Sequence, residues 1–203
     1  MFTRTTLDID TPAGVRVTHG LIAQDEPRGL VVMLPGRAYT SEAPGLYYPR
    51  MVAADAGYDI LSMTFACQVA PERADFSTID AEIRLAVDAV LRRRGYDRIV
   101  FVGKSLGSPY VAALAQPYNA ERVILLTPIG SSVQDTGALP TLAIIGTNDS
   151  AYDPARVEAD KARPNLRWLV LDGMDHGLEV AGDWAATLDG MKTILAACAE
   201  FLS

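Results

Sequence analysis

Residues 99–107 read Ile-Val-Phe-Val-Gly-Lys-Ser-Leu-Gly, a short apolar run that leads into a serine with a glycine two positions away on either side. A continuous apolar run of this length is typical of a strand buried on both faces of a sheet. Residues 108–116 follow with a helical pattern, and Pro109 suits the first turn of such a helix. A sharp strand-to-helix turn would hold Ser105 clear of its own backbone, and crowding at that turn would explain both glycines.

Apolar runs alternate with helical patterns over the rest of the chain. The patterns predict polar-alternating strands at 3–9 and 15–23, buried strands at 30–34, 123–126 and 142–145, and further strands at 58–65 and 167–171. They predict helices at 47–56, from 77 to the arginines at 92–94, and at 184–201. Such alternation predicts an α/β fold with a mostly parallel central sheet and helices on both faces. At 203 residues, we expect a single domain over 1–203.

The helix predicted from 77 to the arginines at 92–94 carries signals at both ends. Ser77, with Asp80 three residues later, resembles a capping box. The arginines at 92–94 suit a helix C-terminus, and Gly95 is predicted to take the left-handed cap after them. The arginine run is therefore interpreted as a helix end rather than a binding patch.

Composition excludes several classes of protein. The net charge of −7 argues against nucleic acid as a main partner. Two cysteines are too few for a secreted disulfide scaffold, although a single Cys67–Cys198 disulfide is possible. The Cys and His residues are scattered along the chain, and their spacing predicts no metal site. Residues 1–10 lack the pattern of a secretory signal, and no apolar run approaches the roughly 18 residues of a membrane span. We expect a soluble, cytoplasmic protein with no membrane partner.

Three residues with complementary chemistry follow three predicted strands. Ser105, Asp149 and His176 come after the strands that end near 102, 145 and 171. The carboxyl ends of parallel strands meet at one edge of a sheet, which is where functional groups gather. A serine hydroxyl needs a base within hydrogen-bond reach to become a nucleophile, and a histidine oriented by a carboxylate supplies one.

Four segments together resemble the α/β-hydrolase superfamily, and the resemblance covers nearly the whole chain. They are residues 34–37 (Leu-Pro-Gly-Arg), 103–107 (Gly-Lys-Ser-Leu-Gly), 146–149 (Gly-Thr-Asn-Asp) and 175–177 (Asp-His-Gly). The chain is most similar to compact, lid-less members of the dienelactone-hydrolase-like group. It departs from them in having Ser105 in place of the usual cysteine, Pro35 before Gly36 in place of histidine, and Lys104 within the strand-to-helix turn.

The resemblance implies a role for each of these residues. Ser105 is the nucleophile, His176 the base and Asp149 the acid, while the backbone N–H groups of Leu106 and Arg37 form the oxyanion hole. It implies a serine hydrolase that needs no cofactor and cleaves a small ester, thioester or lactone through an acyl-enzyme. Tyr39 and Lys104 are candidate pocket residues.

Several assignments stay open at this stage. Asp153 rivals Asp149 as the acid, while Asp172 and Asp175 lie too close to His176 along the chain to be preferred. The Arg37 side chain could bind a substrate carboxylate or pair with Glu42. The single other histidine, His19, is the rival base and is expected to lie far from the site.

Two other functions were weighed against the hydrolase. A phosphate-binding loop would need a glycine at position 98, which is Arg98, so that interpretation fails. A non-catalytic small-ligand-binding protein on the same fold remains the alternative. The segment between 126 and 142 has room only for a loop, so no lid is predicted. The edge strand and the terminal helix are candidate contacts for a homodimer.

Overall fold

The computed structural model describes residues 2–73 and 75–203; the domain predicted over 1–203 includes Met1 and Ala74, which lie outside the described residues. Eight strands form one sheet: β1 (Phe2–Asp10), β2 (Arg16–Gln24), β3 (Leu30–Leu34), β4 (Asp59–Ser62), β5 (Ile99–Lys104), β6 (Arg122–Leu126), β7 (Thr141–Gly146) and β8 (Leu166–Leu171). Their order across the sheet is β1-β2-β4-β3-β5-β6-β7-β8. The hairpin β1–β2 and the β2–β4 pair are antiparallel, and the remaining pairs are parallel. The predicted mostly parallel α/β sheet is confirmed.

The helices are α1 (Pro44–Asp55), α2 (Ala66–Val69), α3 (Ile79–Arg93), α4 (Gly107–Ala115), α5 (Ser132–Asp135), α6 (Pro154–Asp160) and α7 (Trp184–Leu202), with 3₁₀ turns at Pro71–Arg73 and Phe76–Thr78. The sequence predicted the four longer helices. It missed α2, α5 and α6, which have four, four and seven residues and are too short to show a helical period. The described β6–β7 connection holds only α5, so no lid domain covers the sheet edge there.

The sheet has an apolar layer on each face. Successive residues of β3 alternate between them, so that Val31 and Met33 join one cluster while Val32 and Leu34 join the other. Helices α1 and α7 pack on the Val31 side, and α3 and α4 pack on the Val32 side. Full burial of β3 on both faces explains why its sequence is apolar at every position.

The strand order reverses between β3 and β5. The chain runs from β3 outward to β4 on one side and then returns to β5 on the other. In open α/β sheets, ligands bind in the crevice at such a switch point, outside the carboxyl ends of the strands. The parallel register pairs Leu34 with Gly103, so the loop after β3 starts beside the turn after β5.

Both ends of α3 differ from the prediction. Ser77 forms no capping box; it lies in the preceding 3₁₀ turn, and its hydroxyl donates to Asp75 at 2.6 Å. Gly95 does not adopt a left-handed conformation, because the chain leaves the helix through an extended Arg94 with φ of −152°. From this extended position the Arg94 guanidinium reaches the buried carboxylate of Asp59 at 3.2 Å.

The open questions about metals, thiols and membranes have direct structural answers. Cys67 and Cys198 are free thiols, so the optional disulfide is not formed. Within residues 2–73 and 75–203, no three His, Cys, Asp or Glu side chains cluster in a way that could hold a metal ion. None of the described helices combines the length and the apolarity that crossing a bilayer requires.

The turn from β5 into α4 depends on close packing of its backbone against the backbone of β3 and within the turn. A Cβ atom at Gly107 would lie 2.5 Å from the carbonyl oxygen of Leu34, and one at Gly103 would lie 2.5 Å from Val111 and 2.8 Å from the Gly107 carbonyl. Real Cβ atoms do not approach other atoms this closely. The two glycines of the motif are therefore required by packing against β3 and within the turn itself.

His19, the rival base, lies in β2 as a buried side chain with 1% exposure. Its Nδ1 accepts a hydrogen bond from the Thr64 backbone N–H at 3.2 Å. Burial lowers the pKa of His19 to about 4, against a weaker opposing effect of Asp8. A histidine held neutral in the core in this way is a structural residue.

We expect Gly107→Ala to lower the free energy of unfolding by about 3 kcal/mol, because the new methyl group must displace the backbone of β3. Gly95→Ala is the matched control, since a Cβ there meets nothing within 4 Å. Chemical denaturation of both variants checks the prediction, and equal effects at the two positions would contradict it.

We expect the free energy of unfolding to fall less steeply with decreasing pH in His19→Asn than in the wild-type protein. The folded-state pKa of His19 lies at about 4, below the ordinary 6.5, so the unfolded chain binds the extra proton and stability falls as pH drops from 6.5 to 4. The loss attributable to this residue is about 3 kcal/mol. Asn can accept the Thr64 hydrogen bond without titrating, and urea unfolding at several pH values measures the difference. Identical pH slopes in the two proteins would refute this account of His19.

Candidate active site

Ser105 occupies the turn between β5 and α4 in a left-handed conformation, with φ of +49°. Its N–H donates to the Leu126 carbonyl at 3.0 Å, and its own carbonyl accepts from the Ser108 hydroxyl at 2.7 Å. A left-handed conformation is uncommon for a residue with a side chain and is tolerated where the surrounding structure imposes it. The turn therefore presents the Ser105 hydroxyl at the carboxyl edge of the sheet.

The structure brings Ser105, His176 and Asp149 together in one line of hydrogen bonds. The His176 Nε2 lies 2.8 Å from the Ser105 Oγ, and the Nδ1 lies 2.8 Å from the Asp149 Oδ2. A carboxylate only accepts hydrogen bonds, so Nδ1 carries the ring proton and Nε2 is left to accept from Ser105. Exposure increases along the line, because the Asp149 side chain is fully buried while the His176 side chain is 42% exposed.

Close backbone packing joins the loop that carries Asp149 to the loop that carries His176. A Cβ atom at Gly146 would lie 2.0 Å from the Met174 carbonyl oxygen, so only glycine fits. The Asn148 N–H donates to the same carbonyl at 2.9 Å. These contacts fix how far Asp149 stands from His176.

The other aspartates considered for the role of the acid form hydrogen bonds elsewhere. Asp153 is exposed and caps α6 by accepting from the N–H groups of Ala155 and Arg156. Asp172 accepts from the Thr147 hydroxyl at 3.0 Å. Asp175 accepts from the backbone N–H groups of Gly177 and Glu179, which closes the turn that follows His176.

The two backbone groups predicted to form the oxyanion hole belong to segments that lie against Ser105. Leu106 follows Ser105 as the N-cap of α4, and Gly36, which precedes Arg37, stands so close that a Cβ on it would be 3.5 Å from the Ser105 Cβ. Among the described residues, the N–H groups of Leu106 and Arg37 have no acceptor, so both are free to donate to a ligand.

Gln68 orients the peptide between Gly36 and Arg37. Its Nε2 donates to the Gly36 carbonyl at 2.9 Å, and its Oε1 accepts from the Phe65 N–H at 3.0 Å. In a trans peptide the Arg37 N–H points opposite to the Gly36 carbonyl, so holding the carbonyl also aims the N–H. The sequence assigned Gln68 no role; its place three residues after the strand predicted at 58–65 was the one signal.

The Arg37 side chain is exposed and does not pair with Glu42. Glu42 instead binds Arg50 through two hydrogen bonds of 2.5 and 2.9 Å. The Arg37 guanidinium stands 5.3 Å from the centre of the Phe76 ring, and none of the described carboxylates pairs with it. Of the two interpretations of Arg37, the ion pair with Glu42 is wrong.

A cavity of about 400 Å³ opens beside Arg37. Its lining combines apolar and polar side chains from the loop after β3 and the segment around α2: Arg37, Ala38, Thr40, Cys67, Gln68, Pro71 and Phe76. Its volume lies within the range of small-molecule sites. Neither Tyr39 nor Lys104, the two candidate pocket residues, is part of this lining.

Lys104 is buried beneath the site, with only 1% exposure, which corrects its assignment to the pocket. Its Nζ donates to the His176 carbonyl at 2.6 Å and to the Thr127 hydroxyl at 2.9 Å. Burial lowers the pKa of Lys104 to about 8, and the carboxylates of Asp149 and Asp175 oppose that shift. Tyr39 packs over this lysine, with its ring centre 4.4 Å from Nζ, and its hydroxyl accepts from the Gly45 N–H.

Comparison with known proteins finds likeness in structure alone. No protein-family model matches the sequence, and no curated protein matches it. Among solved structures, a predicted CIB-like hydrolase from Thermoplasma acidophilum superposes with a TM-score of 0.67 at 17% identity, covering 98% of this chain and 100% of the other. XC6422 from Xanthomonas campestris, described as an α/β serine hydrolase without a lid, gives a TM-score of 0.70 at 12% identity over 98% and 93% of the two chains.

A third structure, Est1E from Butyrivibrio proteoclasticus with ferulic acid bound, gives a TM-score of 0.73 at 16% identity over 97% of both chains. These likenesses span nearly the whole of each chain. The chain therefore has the α/β-hydrolase fold, in its lid-less form.

Proposed function

We propose that this protein is a serine hydrolase that cleaves a small ester, or a thioester or lactone, through an acyl-enzyme. The observation that carries the proposal is the unbroken line from Ser105 to His176 to Asp149, with both hydrogen bonds at 2.8 Å. This arrangement couples a hydroxyl to a base and the base to a buried carboxylate, which is what activation of a serine requires.

The first half of the reaction forms the acyl-enzyme. His176 Nε2 takes the proton of Ser105 as the Oγ bonds to the substrate carbonyl carbon. The carbonyl oxygen becomes an oxyanion between the N–H groups of Leu106 and Arg37, and one such donor stabilises the transition state by about 3 kcal/mol. The protonated Nε2 then gives its proton to the leaving alkoxide, so the alcohol departs and the acyl group stays on Ser105.

The second half uses the same groups in reverse. Water enters where the alcohol left, loses a proton to His176 Nε2, and attacks the acyl carbon. The oxyanion collapses, the Ser105 oxygen leaves, and it recovers its proton from Nε2. Asp149 keeps the ring in the required tautomer and stabilises the imidazolium at both stages.

The cavity beside Arg37 is the site we assign to the substrate's acyl group. It begins at the residue whose N–H would hold the oxyanion, and its size suits a small molecule. The unpaired guanidinium over Phe76 favours an acyl group that carries a planar anion, because arginine binds carboxylates through two parallel hydrogen bonds. The proposal includes a cytoplasmic protein that acts on a small acyl substrate without a cofactor.

We expect a fluorophosphonate probe to label the wild-type protein on Ser105, because the hydroxyl has a base 2.8 Å away. Ser105→Ala should take up no label, and His176→Ala should react about 10⁴-fold more slowly. Intact-mass and peptide mass spectrometry measure the label, and Ser131→Ala is the matched control, because Ser131 is exposed and its hydroxyl donates to Asp135 rather than to a histidine. Folded wild-type protein that takes up no label would support the non-catalytic binding protein instead.

We expect Asp149→Asn to lower kcat for p-nitrophenyl acetate by about 10⁴-fold, since an amide cannot hold the His176 tautomer. Asp153→Asn is the matched control, because asparagine also caps a helix and Asp153 lies at the start of α6. Initial rates of ester hydrolysis measure both. An active Asp149→Asn protein together with an inactive Asp153→Asn protein would move the acid role to Asp153.

A further inference from the structure

Lys104 is a charged side chain placed where the fold would accept an apolar one. It ends β5, directly before Ser105, and is 1% exposed. Burying an ammonium group costs free energy, and the lowered pKa of about 8 reflects that cost. A lysine that destabilises its own charged form in this position needs a reason beyond packing.

Its contacts join three separate segments at the site. The Nζ donates to the backbone carbonyl of His176 at 2.6 Å and to the hydroxyl of Thr127, just after β6, at 2.9 Å. The face of Tyr39, from the loop after β3, lies 4.4 Å away. Lys104 therefore links the loop that carries His176 to the ends of β5 and β6.

The backbone around Lys104 is strained. Ser105, Thr127 and Leu178 adopt left-handed conformations with φ of +49°, +46° and +66°, and among the described residues only Asn119 is a further non-glycine case. A left-handed conformation is a rare outlier for a β-branched residue such as Thr127. Strain of this kind persists only where the surroundings impose it, and it gathers at functional sites. The hydroxyl that this conformation places is the one that Lys104 binds.

His176 depends on its backbone for its position. Its side chain is 42% exposed, and its two ring contacts are with Ser105 and Asp149. Asp175 closes the turn after it by accepting from the N–H groups of Gly177 and Glu179. Lys104 is what holds the His176 carbonyl from below.

We propose that Lys104 is the positioning residue of His176: its Nζ ties the His176 carbonyl to the Thr127 hydroxyl and so keeps the imidazole in line between Ser105 and Asp149. The assignment rests on the serine hydrolase proposed above, and Lys104 itself touches neither the substrate nor the reacting atoms. An ammonium group suits the task, because it has three donors and its hydrogen bonds are about twice as strong as those of a neutral donor.

The test uses substitutions at both ends of the link. Lys104→Met keeps the length of the side chain and removes its donors and charge. Thr127→Val removes the acceptor and keeps the shape, while Thr127→Ser is the conservative variant that keeps the hydroxyl. We expect Lys104→Met to lower kcat for p-nitrophenyl acetate by about 10- to 100-fold with KM nearly unchanged, because misplaced catalytic groups slow the chemical step. Thr127→Val should lower kcat in the same way, and Thr127→Ser should keep kcat near the wild-type value.

The double variant shows whether the two residues act as one unit. If Lys104 works through Thr127, Lys104→Met combined with Thr127→Val should be no slower than Lys104→Met alone. Fully additive losses would overturn the link between them. The Thr127 variants also keep the proposal testable if Lys104→Met does not fold.

A spectroscopic readout separates this proposal from the hydrolase proposal. The chain has two histidines, so histidine-labelled protein gives two sets of ring signals in NMR. The His176 Nδ1 proton is hydrogen-bonded to Asp149, and we expect it to give a sharp NMR signal in wild type. In folded Lys104→Met that signal should disappear through exchange of the proton with water, while the signals of the buried His19 stay unchanged. Absence of fluorophosphonate labelling of wild type would refute the hydrolase, yet this NMR difference would still support positioning.

A folded Lys104→Met protein with wild-type kcat and an unchanged His176 signal would overturn the assignment. A loss of activity that only follows a lower melting temperature, with the His176 signal intact at the assay temperature, would likewise make Lys104 a purely structural residue.

Discussion

The arrangement of the site depends on one steric constraint, the contact between the backbone of β3 and the turn that holds Ser105. Gly107 lies against the Leu34 carbonyl, and a methyl group there would come within 2.5 Å of it. This contact, with the Leu34–Gly103 register, places the loop after β3, which carries Gly36 and Arg37, beside Ser105. Parallel pairing of β5, β6, β7 and β8 then carries Asp149 and His176 to the same edge.

A second close contact sets the distance between the acid and the base. Gly146 packs against the Met174 carbonyl, where no side chain fits, so the two loops cannot separate or slide without breaking that packing. The exposure of the line then follows from depth. The Asp149 side chain is fully buried, so its carboxylate is shielded from solvent, while the His176 side chain is 42% exposed at the surface. A dry carboxylate interacts more strongly with the imidazolium than a solvated one would.

The sequence predicted what depends on local pattern and failed where partners are distant along the chain. Polar-alternating patterns located β1 and β2, and apolar runs located the other six strands. The order of Ser105, Asp149 and His176 after three of them indicated the line of hydrogen bonds that the structure contains. Lys104 was placed in the pocket, because nothing in its neighbourhood indicates partners 23 and 72 residues away. Glu42 likewise pairs with Arg50, which lies eight residues further along the chain in α1, rather than with Arg37. Side-chain partners of this kind are decided by packing, which a single sequence does not display.

The sign of the Lys104 charge limits how it could help the reaction. In the proposed reaction an imidazolium forms when Ser105 gives up its proton, and a cation beneath the imidazole disfavours it, so the electrostatic effect of Lys104 alone would work against the first step. Two features offset that cost: the buried carboxylate of Asp149 balances the charge, and the oxyanion that forms with the imidazolium adds a second negative charge nearby. The bond from Nζ is made to the backbone of His176 and not to its ring. The benefit of a lysine at this position is therefore geometric, because it fixes a half-exposed base against a strained, rigid sheet end and accepts an electrostatic penalty to do so.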